Sequence, residues 1–217
     1  MRRSRRWKRP TLVWMTSERT VDPDATPSGD ASETVPPPRI VLAVGGGVAA
    51  YKSAIVASRL VQSGIVVDAM MTRSATMFLG PPTLAAITGR AVVTDGFDPD
   101  HPAGPHIAVT TGASAMVVVP ATANLIAAMA GGVADDVVST SYLQCECPVW
   151  VCPAMSSPMW DHPATVRNVA RLRDDGVHVI EPETGWLACG RVGSGRLADP
   201  ERIAVELSEG VRGGMAG

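Results

Sequence analysis

The sequence predicts a single α/β domain with a doubly wound arrangement, in which one parallel sheet lies between two layers of helices. A chain of 217 residues suits one hydrophobic core, because single cores stop growing at about 250 residues. Apolar residues make up 46% of the chain and charged residues 18%, which is enough apolar surface for a sizeable core. Apolar runs typical of strands alternate with helical windows, as in successive βαβ units.

The chain is predicted to begin with a disordered tail over residues 1–38. Its first ten residues carry six of the 19 basic side chains, and residues 17–38 are rich in Asp, Glu, Ser, Thr and Pro. Such a composition buries too little apolar surface to offset the entropy of ordering the chain. We interpret the basic start as a solvated segment rather than an arm that binds nucleic acid or a membrane. Met15 offers an alternative translation start.

The domain is predicted to extend over residues 39–210 and to begin with a buried strand. Residues 40–44 form a continuous apolar run, the pattern of a strand that is covered on both faces. The spacing of apolar residues then predicts a helix over 48–63, closed by Gly64, and a second strand over 65–71. The later strands are predicted at residues 115–119, 149–151 and 177–180, and the later helices at residues 121–130, 135–144 and 164–175.

This alternation predicts a Rossmann-like or flavodoxin-like sheet. In such sheets ligands bind beyond the carboxyl ends of the strands, where the connecting loops begin. The loops that begin at Gly45, Thr72, Pro120 and Pro153 are therefore predicted to form the binding site.

Composition argues against several other classes of protein. Aromatic residues make up only 4% of the chain, which disfavours a base-stacking surface and hence nucleic-acid binding. The sequence has neither a signal-peptide core nor about 18 consecutive apolar residues, so we expect a cytoplasmic protein without a membrane span. The four cysteines are expected to be reduced. Cys145-x-Cys147 lacks the spacing and the second pair of a typical zinc site, so no metal is predicted.

Three loops carry groups that suit a phosphate. Gly45-Gly46-Gly47 lets the backbone approach a ligand, and the following helix offers unpaired N–H groups and a positive dipole end. G-x-G-x-x-G is not matched, because Ala50 stands where that motif has its last glycine. The P-loop is not matched either, because Lys52 does not follow G-x-x-x-x-G. Thr72-Arg73-Ser74 and the segment 120–124 add hydroxyl and amide groups at adjacent strand ends. Together these loops indicate one nucleotide, although helix capping explains each loop better when it is taken alone.

Histidine is the residue type best suited to proton transfer near neutral pH. His106 lies in a turn that leads into an apolar segment and is one candidate for this role. His101, His162 and His178 compete with it.

Two further segments could contact a substrate. Residues 153–160 read Pro-Ala-Met-Ser-Ser-Pro-Met-Trp, a pattern that core packing could also explain. Cys189 lies in the glycine-rich segment 185–196, which we expect to be a mobile loop rather than a buried element. An exposed thiol there could react, and Arg191 and Arg196 could attract an anionic substrate. An ordinary flexible loop is the alternative.

Taken together, these segments resemble the flavin-containing cysteine decarboxylases, which include phosphopantothenoylcysteine decarboxylase and the lantibiotic peptidyl-cysteine decarboxylases. The resemblance covers about residues 39–205 and rests on five ordered segments, 45–52, 105–107, 120–124, 153–160 and 188–196. It implies an FMN cofactor, His106 as the catalytic histidine and Cys189 as the acid of the coenzyme A branch. The implied cofactor-binding residues are Gly45, Gly46, Gly47, Thr72, Ser74, Phe78, Pro120, Ala121, Thr122, Asn124 and Asp136. The implied substrate-binding residues are Met155, Ser156, Met159, Arg191 and Arg196.

The resemblance also implies a reaction, that of a carbon–carbon lyase, and an assembly. Hydride transfer from the cysteine Cβ to flavin gives a thioaldehyde, from which CO2 can leave to form an enethiolate. The coenzyme A branch then protonates and reduces this product, whereas the peptide branch releases the enethiol. Members of the family form homotrimers, often homododecamers, with FMN at the subunit contact. We therefore expect an isolated monomer to be inactive.

One departure from the family pattern leaves the substrate open. The family has Asn where this chain has Ser156, whose single hydroxyl cannot make the two-ended contact of an amide. This departure, and the end of the chain at Gly217 without the synthetase domain of most bacterial coenzyme A enzymes of the family, favour the C-terminal cysteine of a ribosomal precursor peptide as substrate. The Cys189 segment favours the alternative, phosphopantothenoylcysteine.

Two other classes of protein are weighed against these enzymes. A flavin prenyltransferase shares the fold, but its resemblance does not extend to residues 153–160 or the Cys189 segment. A non-catalytic flavin-binding regulatory subunit stays open because of Ser156.

Overall fold

The computed structural model describes residues 36–97 and 101–213 and confirms the predicted α/β fold. The strands of its main sheet are β1 Arg39–Val44, β2 Val66–Met71, β3 Ala115–Ala121, β4 Val149–Pro153 and β5 His178–Val179. They pair in parallel in the order β2-β1-β3-β4-β5, which is the order of flavodoxin-like sheets. Residues 1–35, which hold most of the predicted tail and the alternative start at Met15, lie outside the described residues.

Eight α-helices lie in the described part of the chain. They are α1 Lys52–Gln62, α2 Pro81–Thr88, α3 Pro105–Thr110, α4 Ala123–Gly131, α5 Val137–Gln144, α6 Ser157–Trp160, α7 Pro163–Asp174 and α8 Pro200–Gly213. A 3-10 turn, Val48–Tyr51, leads into α1, and together they occupy the helix predicted over 48–63. Gly64 follows with a φ of 82°, the left-handed conformation expected of a closing glycine.

Each face of the sheet buries its own apolar cluster. Alternate residues of β1 point to opposite faces, so that Ile40 and Leu42 join one cluster and Val41 the other. Helices α1, α2 and α8 cover the first face, and α3, α4, α5 and α7 cover the second. Coverage on both faces explains why the strands are continuous apolar runs rather than alternating patterns.

A buried charge cluster joins β1 to β2 near the amino edge of the sheet. Asp68 of β2 is almost fully buried, and it accepts hydrogen bonds from Arg39 at 2.7 Å and from Arg90 at 2.5 Å. Arg39 also donates to the carbonyl oxygen of Val109 at 3.0 Å. Because the side chains of both arginines are partly exposed, water can also solvate their charges.

An antiparallel hairpin of β6 Glu183–Trp186 and β7 Val192–Arg196 lies outside the main sheet. The prediction of a mobile loop rather than a buried element over 185–196 is therefore wrong at the two strands, although most of the segment is exposed or half-buried, as predicted. Leu187 and Gly195 are buried, and the N–H of Leu187 donates to the carbonyl oxygen of Arg191 at 2.8 Å. The glycines of this segment allow close packing of the hairpin against residues 155–157.

The prediction of the helices was incomplete. The sequence analysis did not predict α2, α3 or α8, although the buried positions of α8, Ile203, Ala204, Leu207 and Val211, have helical spacing. Nowhere in residues 36–97 and 101–213 does a helix combine the length and apolarity needed to cross a bilayer.

Candidate functional site

A cavity of about 750 Å³ opens where β1, β3 and β4 end, within the size range of small-molecule sites. Its walls come from the turn after β1, the loops after β3 and β4, and the β6–β7 hairpin. This is the position predicted for the site, since β1 and β3 flank the point where the strand order reverses. Nine of the predicted site residues line it: Gly46, Gly47, Pro120, Thr122, Met155, Ser156, Met159, Cys189 and Arg196.

The glycine turn after β1 fits closely against its two neighbouring loops. The N–H of Gly45 donates to the carbonyl oxygen of Pro120 at 3.2 Å. A Cβ on Gly46 would lie 2.2 Å from Ser74 Oγ and 2.7 Å from the Ser74 carbonyl carbon, so a side chain there would collide with the backbone. No side chain caps the turn that begins after Gly47, and its first turn has no acidic residue. Its N–H groups and positive dipole end therefore suit a phosphate.

Thr72 and Thr122 accept hydrogen bonds from N–H groups at the start of helical turns, as the capping alternative predicts, whereas Ser74 makes no capping hydrogen bond. The N–H of Ala75 donates to Thr72 Oγ1 at 3.1 Å, and Thr72 Oγ1 lies 3.0 Å from Ser74 Oγ. Thr122 Oγ1 accepts a hydrogen bond from the N–H of Leu125 at 3.3 Å at the start of α4. Thr122 also lines the cavity, so one residue serves both purposes.

Asp136 caps α5 in the same way. Its Oδ1 accepts from the N–H groups of Val138 and Ser139, both at 2.8 Å, while Ser139 Oγ accepts from the N–H of Asp136. This capping box accounts for the position of the Asp136 carboxylate without a bound ligand.

The segment after β4 and the hairpin hold each other in place. The N–H of Met155 donates to the carbonyl oxygen of Gly195 at 2.9 Å, and Ser157 Oγ donates to that of Ser194 at 2.7 Å. Gly195 has a φ of 95°, and a Cβ there would lie 2.4 Å from the carbonyl oxygen of Met155. These contacts bring Met155, Ser156 and Cys189 to one cavity, although Cys189 is distant from the other two in sequence.

Two basic side chains, Lys52 and Arg196, line the cavity. Burial lowers the pKa of Lys52, and the positive charge of Arg196 lowers it further, whereas Glu183 and Asp199 act in the opposite direction. Ser156 precedes α6 and makes no capping hydrogen bond, so its hydroxyl can point to a ligand. The cavity therefore offers positive charge and a neutral hydrogen-bonding group to an anionic molecule.

Sequence reasoning missed several residues of the cavity. Lys52 belongs to the segment 45–52 that carries the resemblance but was not predicted as a site residue, yet it lines the wall. Trp186, which is 68% exposed, and Tyr51 add aromatic surface. No spacing rule singles out either aromatic residue. Trp186 in addition lies in a hairpin that was itself not predicted.

Other predicted site residues do not line this cavity. Gly45 and Ala121 are next to residues that line it, whereas the loop of Thr72 and Ser74 contributes no residue to its wall. Phe78, Asn124, Asp136, Arg191 and His106 also fall outside the wall. His106 is half-buried in the first turn of α3, not in a turn as predicted, and α3 packs against α5.

Two of the competing histidines have structural contacts. His162 Nδ1 accepts from the N–H of Ala164 at the start of α7, and the His178 ring stacks on Trp150 with centroids 4.7 Å apart. These contacts leave His106 the stronger candidate of these three for proton transfer.

The residues of the cavity fit the FMN that the resemblance implies. The uncapped turn after Gly47 suits its phosphate, and a Cβ on Gly45 or Gly46 would disrupt the loops that shape the wall. The walls also provide apolar and aromatic surface for a flat ring, through Val48, Tyr51, Met155 and Trp186.

The chain matches the family model described as Flavoprotein over residues 28–211. It is 46% identical over 171 residues to the coenzyme A biosynthesis bifunctional protein CoaBC of Bacillus subtilis (strain 168), which covers 78% of this chain and 42% of that protein. The chain thus spans about two-fifths of the length of this curated relative.

Two solved structures are similar to about four-fifths of the chain. One is a mutant PPC decarboxylase complexed with pantothenoylaminoethenethiol, with a TM-score of 0.71, 28% identity, and coverage of 79% of this chain and 97% of the other. The second is the FMN-dependent cysteine decarboxylase SpaF, with a TM-score of 0.68, 34% identity, and coverage of 80% and 97%.

Proposed function

Because the chain belongs to the flavoprotein family, as one of the flavin-containing cysteine decarboxylases, we propose that it decarboxylates phosphopantothenoylcysteine in coenzyme A biosynthesis. The predicted family, the FMN cofactor and the class of cysteine decarboxylase, a carbon–carbon lyase, are confirmed. The substrate differs from our first interpretation, which favoured a precursor peptide. The identity to CoaBC supports the alternative, phosphopantothenoylcysteine.

One observation carries this proposal: Cys189 lines the same cavity as the glycine turn and Ser156. A thiol in that position can donate a proton to a substrate intermediate, which is the step that distinguishes the coenzyme A branch. Cys189 is exposed at the tip of the hairpin, between β6 and β7, and so can approach a bound substrate.

The chain's own residues divide the work of binding and proton transfer. The turn at Gly46 and Gly47 and the loop of Pro120 and Thr122 would hold FMN. When bound, FMN supplies the electron acceptor that oxidises the cysteine carbon of the substrate, so that CO2 can leave. The Ser156 hydroxyl would donate a hydrogen bond to the substrate carboxylate, while Met155 and Met159 enclose its apolar part.

Basic residues would bind the charged end of the substrate. Lys52 and Arg196 supply positive charge at the cavity, which suits the phosphate of phosphopantothenoylcysteine. Arg191 is exposed near the hairpin tip and would add to the attraction of the substrate. Cys189 Sγ then delivers its proton to the substrate carbon after CO2 has left.

His106 would act across a subunit contact. It does not line the cavity of its own chain and lies in the first turn of α3, the helix that precedes β3. Large apolar side chains are exposed close to the predicted site residues in sequence, among them Met77, which is 84% exposed, and Phe78, which is 54% exposed. Such exposure is expected of a surface that meets another subunit. We therefore infer a homo-oligomer, a trimer or a dodecamer, in which His106 and Phe78 reach a neighbouring cavity.

The substrate can be tested by competition. FMN-loaded protein is incubated with equal concentrations of phosphopantothenoylcysteine and a cysteine-ended peptide, and mass spectrometry follows the loss of CO2 from each. We expect turnover of phosphopantothenoylcysteine alone. Turnover of the peptide alone would return the substrate to our first interpretation, and bound FMN without turnover of either would support the regulatory subunit. The domain limits of 39–210 and the cytoplasmic location stay predictions.

A further inference from the structure

Cys145 and Cys147 lie at the edge of the sheet opposite the cavity. They stand between the end of α5 and the start of β4, and the loop before β3 reaches the same edge because the two strands are parallel. The Sγ atoms of the two cysteines are 3.0 Å apart. Both side chains are half-buried and pack against the apolar cluster of the second face.

A second cavity of about 290 Å³ lies beside this pair. Residues 110–113 form one wall, and Gln144, Glu146 and Cys147 form the other. Cys147 lines this cavity and Cys145 does not, so a small molecule in the cavity would lie beside the pair, with Cys145 Sγ 3.0 Å behind Cys147 Sγ. Within the described residues no three His, Cys, Asp or Glu side chains are placed to hold a metal ion.

The contact between the thiols makes them unequal. The hydrogen bond from Cys147 lowers the pKa of Cys145, against the opposing effects of burial and of the Glu146 charge. The same hydrogen bond, together with burial, raises the pKa of Cys147. Cys145 is therefore the thiol that ionises first, and a thiolate is the nucleophile in reactions of cysteine.

The other two cysteines lack this arrangement. Cys152 is fully buried in β4, and burial raises the pKa of its thiol, so it is both inaccessible and protonated. Cys189 is exposed at the opposite edge of the sheet.

We propose that Cys145 and Cys147 form a dithiol that exchanges with low-molecular-weight disulfides and closes reversibly to a Cys145–Cys147 disulfide. The Cys145 thiolate attacks one sulfur of the small disulfide, forms a mixed disulfide and releases one thiol, which takes up the proton lost by Cys145. Cys147 then attacks Cys145 Sγ, its proton goes to the departing group, and a second thiol leaves. The dithiol loses two electrons and two protons, and the small disulfide gains both.

The geometry favours the second step. A disulfide needs a sulfur–sulfur distance of about 2.05 Å, so the two Sγ atoms must approach by only about 1 Å. Attack by Cys147 is intramolecular and needs no movement of a distant segment. Disulfides in reducing compartments are usually transient and regulatory or catalytic, which fits a pair that opens again when free thiol is abundant.

The experiment uses the full chain loaded with FMN. Wild-type protein and the variants Cys145→Ser, Cys147→Ser and Cys189→Ser are incubated with oxidised glutathione, quenched in acid and analysed by intact mass and peptide mapping. We expect the wild type and Cys189→Ser to lose two hydrogens in the peptide that holds residues 145–147. Cys147→Ser should stop with one glutathione on Cys145, and Cys145→Ser should react there about tenfold more slowly or not at all.

Several results would overturn the proposal. One is an unchanged mass of the 145–147 peptide in the wild type, and another is attachment of glutathione to Cys189 alone. A third is a Cys145→Ser variant that reacts at residue 147 as fast as the wild type does. Flavin absorbance verifies that each variant is folded, and the attachment site in Cys147→Ser decides the matter if Cys145→Ser does not fold.

Discussion

The turn after β1 shows how a single Cβ atom can decide whether two loops meet. A Cβ on Gly46 would lie 2.4 Å from the Ser74 Cβ, closer than side-chain atoms pack. The neighbouring Gly47 has a φ of −160°, extended backbone that any residue adopts, and a Cβ there would lie 3.7 Å from Thr122 Cγ2. Two adjacent glycines thus differ in what they permit, which the pattern Gly-Gly-Gly does not reveal.

We expect Gly46→Ala to lower the free energy of unfolding of the FMN-free protein by about 1–3 kcal/mol, because the added methyl group displaces the Ser74 loop. The matched variant Gly47→Ala should stay within about 1 kcal/mol of the wild type, since its position is open and its backbone is unstrained. Urea unfolding of both variants measures the difference. Equal free energies for the two variants would show that the contact with Ser74 does not constrain the turn.

At the scale of elements, the hairpin is attached to the site by contacts distant in sequence. Ser157 begins α6, and its hydroxyl donates to the carbonyl oxygen of Ser194 in β7 at 2.7 Å. A Cβ on Gly193 would lie 2.2 Å from Ser157 Oγ, so the glycine makes room for this hydrogen bond. The position of Cys189 at the cavity therefore depends on a helix of the main domain.

Ser157→Ala removes this hydrogen bond and should loosen the hairpin. A net loss of about 0.5–1.5 kcal/mol corresponds to an expected two- to tenfold decrease in kcat/KM for phosphopantothenoylcysteine. Limited proteolysis should also cut the hairpin sooner. The control is Thr83→Ala, an exposed residue of α2 away from the hairpin. Unchanged kinetics and unchanged cleavage in Ser157→Ala would mean that other contacts suffice.

The strands β1 and β2 depend on the Asp68 cluster near their amino ends. Asp68→Asn keeps the shape of the side chain but leaves Arg39, whose side chain is only 22% exposed, without a negative partner. We expect the free energy of unfolding to fall by about 1–3 kcal/mol. Glu201→Gln serves as the control, because its pairing with Arg59 is half exposed and should contribute less than about 1 kcal/mol. Similar losses of unfolding free energy in both variants would show that the burial of Asp68 does not strengthen its ion pairs.

Elements could be predicted where a local pattern determines them. Residues 40–44 were predicted as a strand because burial on both faces leaves a continuous apolar run, and the helix after it because its apolar residues repeat at helical spacing. The hairpin could not be predicted, since its glycines have meaning only against Met155 and Ser157. Its stability lies in contacts between segments, which no local window contains.

At the scale of the whole molecule, one chain supplies only part of the predicted site. Nine residues predicted from the sequence to bind cofactor or substrate or to act in catalysis line one cavity, because parallel strands bring their following loops to one edge. The same reasoning could not predict the cavity at which His106 would act. It begins α3, which packs on α5, and it does not line the cavity of its own chain. Contacts between subunits leave no periodic signal in a single sequence.

Mixed oligomers test whether His106 acts on a neighbouring cavity. His106→Asn and Cys189→Ser are each expected to lose formation of the reduced product. If His106 and Cys189 of one site come from different subunits, an equal mixture assembled together should restore about a quarter of the wild-type sites. The control contains the two variants as separately assembled oligomers that do not exchange subunits, and it should show no recovery. No recovery after mixing would place both residues in the same subunit's site.

Cys189 is expected to complete the reaction of phosphopantothenoylcysteine in the cavity. The most direct measurement is the product mass from FMN-loaded wild type, Cys189→Ser and the control Cys147→Ser. We predict that the wild type and the control form a product that lacks CO2 only, and that Cys189→Ser forms one that lacks CO2 and two hydrogens. A Cys189→Ser product identical to that of the wild type would contradict the account.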